Sequence, residues 1–279
     1  MSRPYRSVLY IPAANQRAME KARTLAADAI IFDLEDAVAP AEKPGARDLL
    51  RQALAQDYGG RARIVRINGF DTEWGREDAA AFATGADAVL VPKVSRPEDL
   101  DAVAAIVPDT PLWAMMETAL GMLNAAAIAA HPRLEGMVMG TNDLAKELGS
   151  RNRPDRLAMQ AGLGLCLLAA RANGRVIVDG VFNAFKDEDG LRAECEQGRD
   201  MGFDGKTLIH PAQLDTANAA FAPSEAEVDL SRRQIEAYEA AIAEGKAVAV
   251  VDGRIVENLH VETARRTLAK AQAIAALGG

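Results

Sequence analysis

The sequence predicts an α/β protein folded as a closed (β/α)8 TIM barrel, and three observations support this fold class. Eight short apolar runs alternate along the chain with segments of helical composition and spacing. Many of these runs are apolar at successive positions, which is typical of parallel strands buried on both faces. An open doubly wound sheet is the alternative, but it usually has a glycine-rich phosphate turn after its first strand, where this chain has Pro12-Ala13-Ala14-Asn15.

The predicted strands and helices follow one another in a regular order. The eight strands are predicted over 7–11, 29–32, 63–67, 88–91, 112–116, 136–139, 176–178 and 207–209. Pro12 stops the first strand and a helix is predicted over 16–27, whereas later helices are predicted over 43–56, up to Phe82 and after Pro97. Strands separated by helices require right-handed parallel crossovers, so we expect all eight strands to run in one direction.

The pattern changes after residue 222. The last segment predicts a long amphipathic helix with a capping box that begins at Ser224, a hairpin that turns at Asp252-Gly253, and a final helix. Their predicted bounds are 224–244 for the long helix, 247–251 and 254–256 for the hairpin strands, and 260–275 for the final helix. We therefore predict a barrel domain over residues 1–222 and an appended C-terminal helix-hairpin-helix subdomain over 223–279.

Composition excludes several classes of protein. With 49% hydrophobic and 26% charged residues, the chain is neither a disordered nor a membrane-embedded protein. No apolar run is long enough to span a bilayer and the N-terminus lacks a signal peptide, so we expect a cytoplasmic protein with no membrane partner. The net charge of -8 argues against nucleic acid as a partner. Basic residues, among them Arg17 and Lys21, nevertheless outnumber the single acid Glu20 in residues 1–27, which indicates a local anion site.

Polar residues stand at the end of nearly every predicted strand. Active sites in (β/α)8 barrels lie at the carboxyl ends of the strands, so these residues are expected to converge. They are Tyr10, Asp33, Glu35, Asp36, Arg66, Lys93, Glu117, Asp143, Asp179 and His210. Single members of this set could be loop residues or helix caps, but that explanation does not easily account for so many on one face.

Glu117 and Asp143 are the best candidates for metal ligands. Each follows a different apolar strand, and neither is near a cluster of histidines or cysteines. Two carboxylates suit a hard divalent ion, because Mg²⁺ takes a few carboxylates and keeps its other positions for water and substrate. We predict Mg²⁺, with Mn²⁺ as an alternative ion. The competing explanation for both residues is that they cap the helices that follow them.

Arg66 at the end of the third strand requires an anionic partner. A substrate carboxylate held by both arms of the guanidinium is one such partner, and a salt bridge to Asp33, Glu35 or Asp36 is the other. We also expect Glu35 and Asp36 to lie behind the metal ligands and support them. A magnesium ion and an arginine together describe a site for a 2-oxo or 2-hydroxy acid. No histidine is assigned a catalytic role.

Several motifs in order resemble those of one enzyme family. They are RSVLYIP at 6–12, FDLEDAV at 32–38 with Lys43, Ala46 and Arg47, VRIN at 65–68, VPK at 91–93, ET at 117–118, GTNDL at 140–144, and GFDGK at 202–206 with IHPAQ at 209–213. In these motifs the sequence resembles the citrate lyase β-subunit-like (CitE-like) branch of the HpcH/HpaI aldolases. This branch includes malyl-CoA and citramalyl-CoA lyases and malyl-CoA thioesterases, and the similarity runs from about residue 3 to residue 270.

The resemblance implies a Mg²⁺-dependent barrel that acts on a short 3-hydroxy-dicarboxylic acyl-CoA and assembles as a homotrimer or a hexamer. Carried over by motif, the metal ligands are Glu117 and Asp143, the substrate contacts are Glu117 and Arg66, and the coenzyme A contacts are Tyr10, Arg17 and Lys21. In lyases of the family, an acid of the C-terminal segment reaches the site of a neighbouring subunit as a lid, so the resemblance implies that residues 223–279 form a lid and oligomerisation subdomain. Glu257 matches that position, where several relatives have aspartate.

For the reaction, the resemblance implies carbon-carbon cleavage with Arg66 and Glu257 as the catalytic residues. The substrate would be malyl-CoA, β-methylmalyl-CoA or citramalyl-CoA, and the products an acyl-CoA and a 2-oxo acid, glyoxylate or pyruvate. The alternative is a thioesterase that hydrolyses (3S)-malyl-CoA to malate and coenzyme A. A citrate lyase β subunit and a barrel without catalysis are ranked below these two.

Overall fold

Eight parallel strands close into a barrel in the computed structural model, which describes residues 3–277. The strands are β1 (Ser7–Pro12), β2 (Ala29–Asp33), β3 (Ala62–Arg66), β4 (Ala88–Val91), β5 (Leu112–Met116), β6 (Leu134–Met139), β7 (Val176–Asp179) and β8 (Gly205–Leu208). Their order around the barrel follows the chain, and β8 pairs with β1 to close it. The fold class predicted from the sequence is therefore confirmed.

Helices alternate with these strands. They are α1 (Gln16–Ala22), α2 (Lys43–Leu54), α3 (Gly75–Ala81), α4 (Pro97–Ala104), α5 (Ala119–Leu123), α6 (Ala125–Ala129), α7 (Thr141–Glu147), α8 (Gln160–Ala172), α9 (Glu188–Met201) and α10 (Leu214–Phe221), with short 3-10 helices at Pro40–Glu42 and Pro211–Gln213. The predicted helix over 16–27 was too long. It ends at Ala22 because the hydroxyl and the N–H of Thr24 both donate to the carbonyl of Lys21, which closes the last turn.

Alternate residues of the strands form two separate apolar layers. One cluster, which includes Ile31, Ile64, Leu90 and Met115, takes every second residue of the strands and fills the barrel interior. The other residues of the strands pack against the helices in a second, larger cluster. Trp113 is the largest side chain of the interior, and a Cβ at Gly136 would lie 2.4 Å from its ring. A glycine is therefore required beside this indole.

Contacts divide the described chain into two compact units, Tyr5–Phe221 and residues 222–277 with Arg3 and Pro4. The second unit contains α11 (Glu225–Ala243), β9 (Ala249–Val251), β10 (Arg254–Val256) and α12 (Asn258–Leu277). The hairpin turns at Asp252 and Gly253, whose φ angles of 51° and 74° suit a type I′ turn. That the chain consists of two domains, 1–222 and 223–279, stays a prediction. None of the helices within residues 3–277 has the length and apolar character needed to cross a bilayer.

Candidate active site

Five residues near or directly after the ends of five strands, four of them polar, form one layer at the carboxyl end of the barrel interior. Successive side chains of a strand point alternately into the barrel and towards the helices. The residue two positions after the last apolar side chain of the interior therefore also points into the barrel. These residues are Tyr10, Asp33, Arg66, Glu117 and Gly140. All five line a cavity of about 300 Å³. Of the ten strand-end residues that the sequence predicts to converge, six line this cavity: Tyr10, Asp33, Asp36, Arg66, Glu117 and Asp143. The prediction is wrong for Asp179, which is buried outside the cavity in contact with Lys206 and Arg156, and Glu35, Lys93 and His210 do not line the cavity either.

Glu117 is almost completely buried, and one of its oxygens has a backbone partner. Its Oε1 accepts a hydrogen bond of 2.8 Å from the N–H of Lys93. It does not cap the following helix, because Thr118 is the N-cap of α5 and accepts from the N–H of Gly121. Burial, with a smaller contribution from the nearby Glu35, raises the pKa of Glu117 to about 8. A bound cation would supply the positive charge that this carboxylate lacks.

Gly140 gives the Glu117 side chain its space. A Cβ on Gly140 would lie 2.4 Å from Cβ of Glu117 and 2.6 Å from Oε2. Contacts this short do not occur between real side chains, so the carboxylate can take this position only beside a glycine. The glycine that follows β6 is therefore part of the construction of the site.

Asp143 lies in the first turn of α7 and lines the same cavity. The N-cap of α7 is Gly140, so Asp143 does not cap the helix either. Its partly buried carboxylate has no hydrogen bond or ion pair to any residue in the described range 3–277. Its negative charge also raises the pKa of Glu117, although by less than burial and Glu35 do.

The donor set of the cavity fits a magnesium ion. Glu117, directly after β5, and Asp143, in the first turn of α7, offer carboxylate oxygens to the cavity, and the Asp143 carboxylate has no partner in the part of the chain that the structure describes. Among residues 3–277 no group of three or more histidines, cysteines or acids is arranged to hold a metal. A site with two protein carboxylates agrees with Mg²⁺, which leaves its remaining positions to water and substrate oxygens.

Arg66 is held by carboxylates of the protein. Asp33 and Arg66 are direct neighbours in the β2–β3 register, and Nε and Nη2 of Arg66 donate to the two oxygens of Asp33 at 2.7 and 2.6 Å. Nη1 also lies 3.2 Å from Asp36 and 2.9 Å from Oε2 of Glu35, although the contact with Glu35 lacks hydrogen-bond geometry. The salt bridge that the sequence offered as the alternative to substrate contact is therefore present. A substrate carboxylate would have to bind in addition to it.

Tyr10 lies in the cavity, apart from the other residues predicted to contact coenzyme A. Its ring stacks on the guanidinium of Arg66 with 5.1 Å to the ring centroid, and its hydroxyl is 4.0 Å from Sδ of Met115. Burial raises the pKa of the Tyr10 phenol, so its hydroxyl remains protonated and can donate into the cavity. Arg17 and Lys21 lie instead on the exposed face of α1, outside this cavity.

Buried contacts hold the loop after β2 in place. The ammonium of Lys43 donates to the carbonyls of Leu34 and Glu35 at 2.8 and 2.7 Å and to Oδ1 of Asn68 at 2.7 Å. Burial raises the pKa of the Glu35 carboxylate, which also receives a hydrogen bond of 3.2 Å from the ammonium of Lys93. Glu35 and Asp36 therefore surround Arg66, and Glu35 faces Lys93, beside the proposed metal ligands.

Glu257 belongs to the second unit, between β10 and α12. Its side chain is exposed, and its N–H donates to Nδ1 of His260 at 3.1 Å. The role of an acid that reaches the site of a neighbouring subunit stays a prediction for this residue.

Lys93 and Gly140 have parts in the site that the sequence does not predict. The sequence predicts Lys93 only as a strand-end residue, whereas in the structure its N–H is the backbone partner of Glu117. The signal available was the pair Pro92-Lys93 directly after a strand, because proline at that point favours a tight turn. His210, in contrast, caps the short helix that follows it by accepting from the N–H of Ala212.

Comparison with known proteins places this site in a family. The HpcH/HpaI aldolase/citrate lyase family matches residues 6–211. The (3S)-malyl-CoA thioesterase of Cereibacter sphaeroides (strain KD131 / KCTC 12085) is 76% identical over 275 residues, which cover 98% of this chain and 96% of that protein. Citrate lyase subunit beta of Escherichia coli (strain K12) is 36% identical over 285 residues, which cover 97% and 94%.

Solved structures agree with this assignment. The crystal structure of CitE from Mycobacterium tuberculosis in complex with magnesium, acetoacetate and coenzyme A has a TM-score of 0.81 and 32% sequence identity, and the match covers 96% of this chain and 98% of that chain. The match therefore extends over both compact units, the one with the barrel and the C-terminal one. From the family match, the identities and the shared fold, the chain belongs to the HpcH/HpaI aldolase/citrate lyase family.

Proposed function

We propose that this protein is a Mg²⁺-dependent thioesterase that hydrolyses (3S)-malyl-CoA to malate and coenzyme A. The observation that carries this proposal is its 76% identity, along 98% of the chain, to a (3S)-malyl-CoA thioesterase. The sequence alone favours the carbon-carbon lyase. The thioesterase is the better supported of the two, because the citrate lyase β subunits that match are only 32–36% identical to this chain.

Glu117 and Asp143 would hold the metal ion. Their carboxylates face one cavity, and the relative from Mycobacterium tuberculosis was solved with magnesium, which supports the same ion here. When bound, Mg²⁺ would supply positive charge that polarises a substrate oxygen. Lys93 and Gly140 would keep the Glu117 carboxylate in its place.

The other cavity residues would bind and orient the substrate. Arg66 would attract the free carboxylate of the malyl group, since its guanidinium lines the cavity, and Tyr10 would donate a hydrogen bond to a substrate oxygen. The exposed Arg17 and Lys21 on α1 would contact the phosphates of coenzyme A. In hydrolysis, Glu257 would take a proton from the attacking water as the water oxygen bonds to the thioester carbonyl carbon. The C–S bond would then break, and Glu257 would return the proton to the leaving thiolate.

The lyase remains the second candidate, because one set of observations favours it. Relatives from Mycobacterium tuberculosis were solved with magnesium and pyruvate, and with oxaloacetate and magnesium. A site that binds 2-oxo acids in this way suits cleavage of malyl-CoA, β-methylmalyl-CoA or citramalyl-CoA to an acyl-CoA and glyoxylate or pyruvate. The same residues would bind the substrate. The substrate hydroxyl would lose its proton as the C–C bond breaks to give the 2-oxo acid, and Glu257 would protonate the acyl-CoA carbanion instead of activating water.

A product analysis separates the two reactions. We would incubate the purified full-length protein with (3S)-malyl-CoA and MgCl₂ or EDTA, and measure malate, free thiol, glyoxylate and acetyl-CoA separately. We expect malate and free coenzyme A in equal amounts, and neither product in EDTA. Glyoxylate with acetyl-CoA would instead establish the lyase, and turnover that survives EDTA treatment would remove the metal from the proposal.

Matched variants connect the activity with the cavity. Glu117→Gln keeps the shape of the side chain but removes its charge, and we expect it to abolish turnover. Glu98→Gln makes the same change at an exposed position of α4 and should behave as the wild type. If both variants were as active as the wild type, Glu117 would not be a metal ligand.

The assembly and location implied by the resemblance complete the proposal. We propose a homotrimer or a hexamer in the cytoplasm, in which Glu257 of one subunit serves the site of another. Light scattering after gel filtration measures the mass directly and would show about three or six times the 29.7 kDa chain. A monomer with full activity would contradict the shared site.

A further inference from the structure

Lys93 has a backbone conformation that side chains rarely adopt. Its φ angle is 53°, in the left-handed region, and it follows Pro92 in the turn directly after β4. A type II turn has proline at its second position and a residue with positive φ at its third, where glycine or asparagine is usual. A lysine at such a position is strained by its Cβ. Strain that persists at a functional site suggests a role there.

The strained turn directs the Lys93 N–H at the buried carboxylate of Glu117. This N–H donates to Oε1 at 2.8 Å, while Gly140 leaves room for Oε2 on the other side. One oxygen is therefore held by the backbone and the other remains available to a ligand. A carboxylate held in this way loses less rotational freedom when it binds a cation.

Further contacts of Lys93 offset the strain. Its ammonium lies 3.2 Å from Oε1 of Glu35, and its carbonyl accepts from the hydroxyl of Ser95 at 3.2 Å. The turn thus joins the loop after β2 to the end of β5. Glycine would adopt the same φ without strain, but it would lose the contact with Glu35.

We infer that Lys93 is a positioning residue for the metal site, whose left-handed backbone holds Oε1 of Glu117 and leaves Oε2 for the cation. Lys93 acts through Glu117 and touches neither metal nor substrate in this assignment. The inference rests on the Mg²⁺ site of the proposed function and adds to it the backbone element that orients one ligand.

A pair of variants tests the backbone apart from the ammonium. Lys93→Ala and Lys93→Gly both remove the ammonium, but only alanine keeps a Cβ that strains the left-handed turn. Measured by titration calorimetry on full-length protein freed of metal with EDTA and then dialysed, we expect the Mg²⁺ dissociation constant to be about five-fold higher for Lys93→Ala than for Lys93→Gly. Lys246→Ala, which removes an exposed lysine paired with Glu244, is the control and should match the wild type.

Hydrogen exchange gives a second readout that needs no metal. In EDTA, the amide of residue 93 should exchange slowly in the wild type and in Lys93→Gly, and faster in Lys93→Ala, because its hydrogen bond to Glu117 opens more often. Equal affinity and equal exchange in the two variants would overturn the inference while leaving the metal site intact. Absence of Mg²⁺ binding in the wild type would instead remove the metal site itself, and with it the positioning role.

Discussion

At the scale of single residues, Gly140 limits what the site tolerates. A methyl group there would meet the Cβ and Oε2 of Glu117. We predict that Gly140→Ala displaces the Glu117 carboxylate, weakens Mg²⁺ binding by at least about ten-fold and costs about 1–3 kcal/mol of unfolding free energy. Titration calorimetry and urea unfolding measure the two effects.

Gly164→Ala is the matched control for this substitution. Gly164 lies inside α8 with no atom near the position of a new Cβ. Alanine is the better helix former, so the variant should be more stable by about 0.5–1 kcal/mol, with unchanged Mg²⁺ affinity. If Gly140→Ala kept both affinity and stability, the close approach of Glu117 would have no functional importance.

The part of the site that the sequence could predict follows from the alternation of strands and helices, which shows where each strand ends. Glu117 and Arg66 could be placed at the barrel mouth because strands end at recognisable positions. The Asp33–Arg66 ion pair could be stated only as an alternative, because it depends on the register of two strands that no local pattern specifies. The φ angle of Lys93 could not be predicted, because lysine normally avoids it.

At the scale of elements, β7 and β8 are joined by a buried ion pair. Asp179 and Lys206 are neighbours in the register and both are fully buried, and Arg156 also donates twice to Asp179. We predict that Lys206→Met leaves the buried carboxylate of Asp179 with too little positive charge nearby. The free energy of unfolding should then fall by about 3–5 kcal/mol. Urea unfolding measures this cost. Lys246→Met, which breaks an exposed pair with Glu244, should cost less than about 1 kcal/mol.

The same cluster predicts a dependence of stability on pH. Burial alone would raise the pKa of Asp179, but Lys206 and Arg156 outweigh burial and lower it. A lowered pKa means that Asp179 binds a proton more readily in the unfolded chain than in the folded one. Its contribution to the free energy of unfolding is therefore present above about pH 4 and is lost as pH falls further. The free-energy difference between the wild type and Asp179→Asn should therefore shrink between about pH 5 and pH 3. A difference independent of pH would contradict this.

Element positions were predicted better than element ends. The third strand was predicted over 63–67 and lies at Ala62–Arg66, and the eighth was predicted over 207–209 and lies at Gly205–Leu208. Such ends depend on which neighbour supplies the next hydrogen bond. Gly205 illustrates this, because the backbone of Tyr5 lies so close that no side chain would fit there, although nothing near residue 205 in the sequence signals it.

At the scale of the whole molecule, metal binding should raise thermal stability. A ligand that binds only the folded state, present at a concentration of about 100 times its dissociation constant, raises the free energy of unfolding by about 2.7 kcal/mol. For a chain of 279 residues this corresponds to a Tm increase of several degrees with MgCl₂, reversed by EDTA. Glu117→Gln should show no such increase in a thermal melt. An equal increase in the variant would mean that Mg²⁺ binds elsewhere.

The fold was predictable as a whole because its signal is repeated eight times along the chain, so an error in one strand does not change the result. The repetition ends after residue 222, which is why the sequence predicts a separate C-terminal subdomain from residue 223. Its relation to the active site rests on the family resemblance alone, because an exposed Glu257 next to a hairpin has no local feature that indicates a partner.

The packed interior of the barrel also determines how molecules reach the cavity. Trp113 is fully buried against Gly136, and the ring of Tyr5 meets it edge-on with centroids 5.1 Å apart. Tyr5 precedes β1, so these rings close the amino-terminal end of the barrel. Any molecule that enters or leaves the cavity must therefore pass the opening at the other end. In the proposed thioester hydrolysis, coenzyme A and malate would leave by this one route, and the product that leaves second would determine when the next turnover begins.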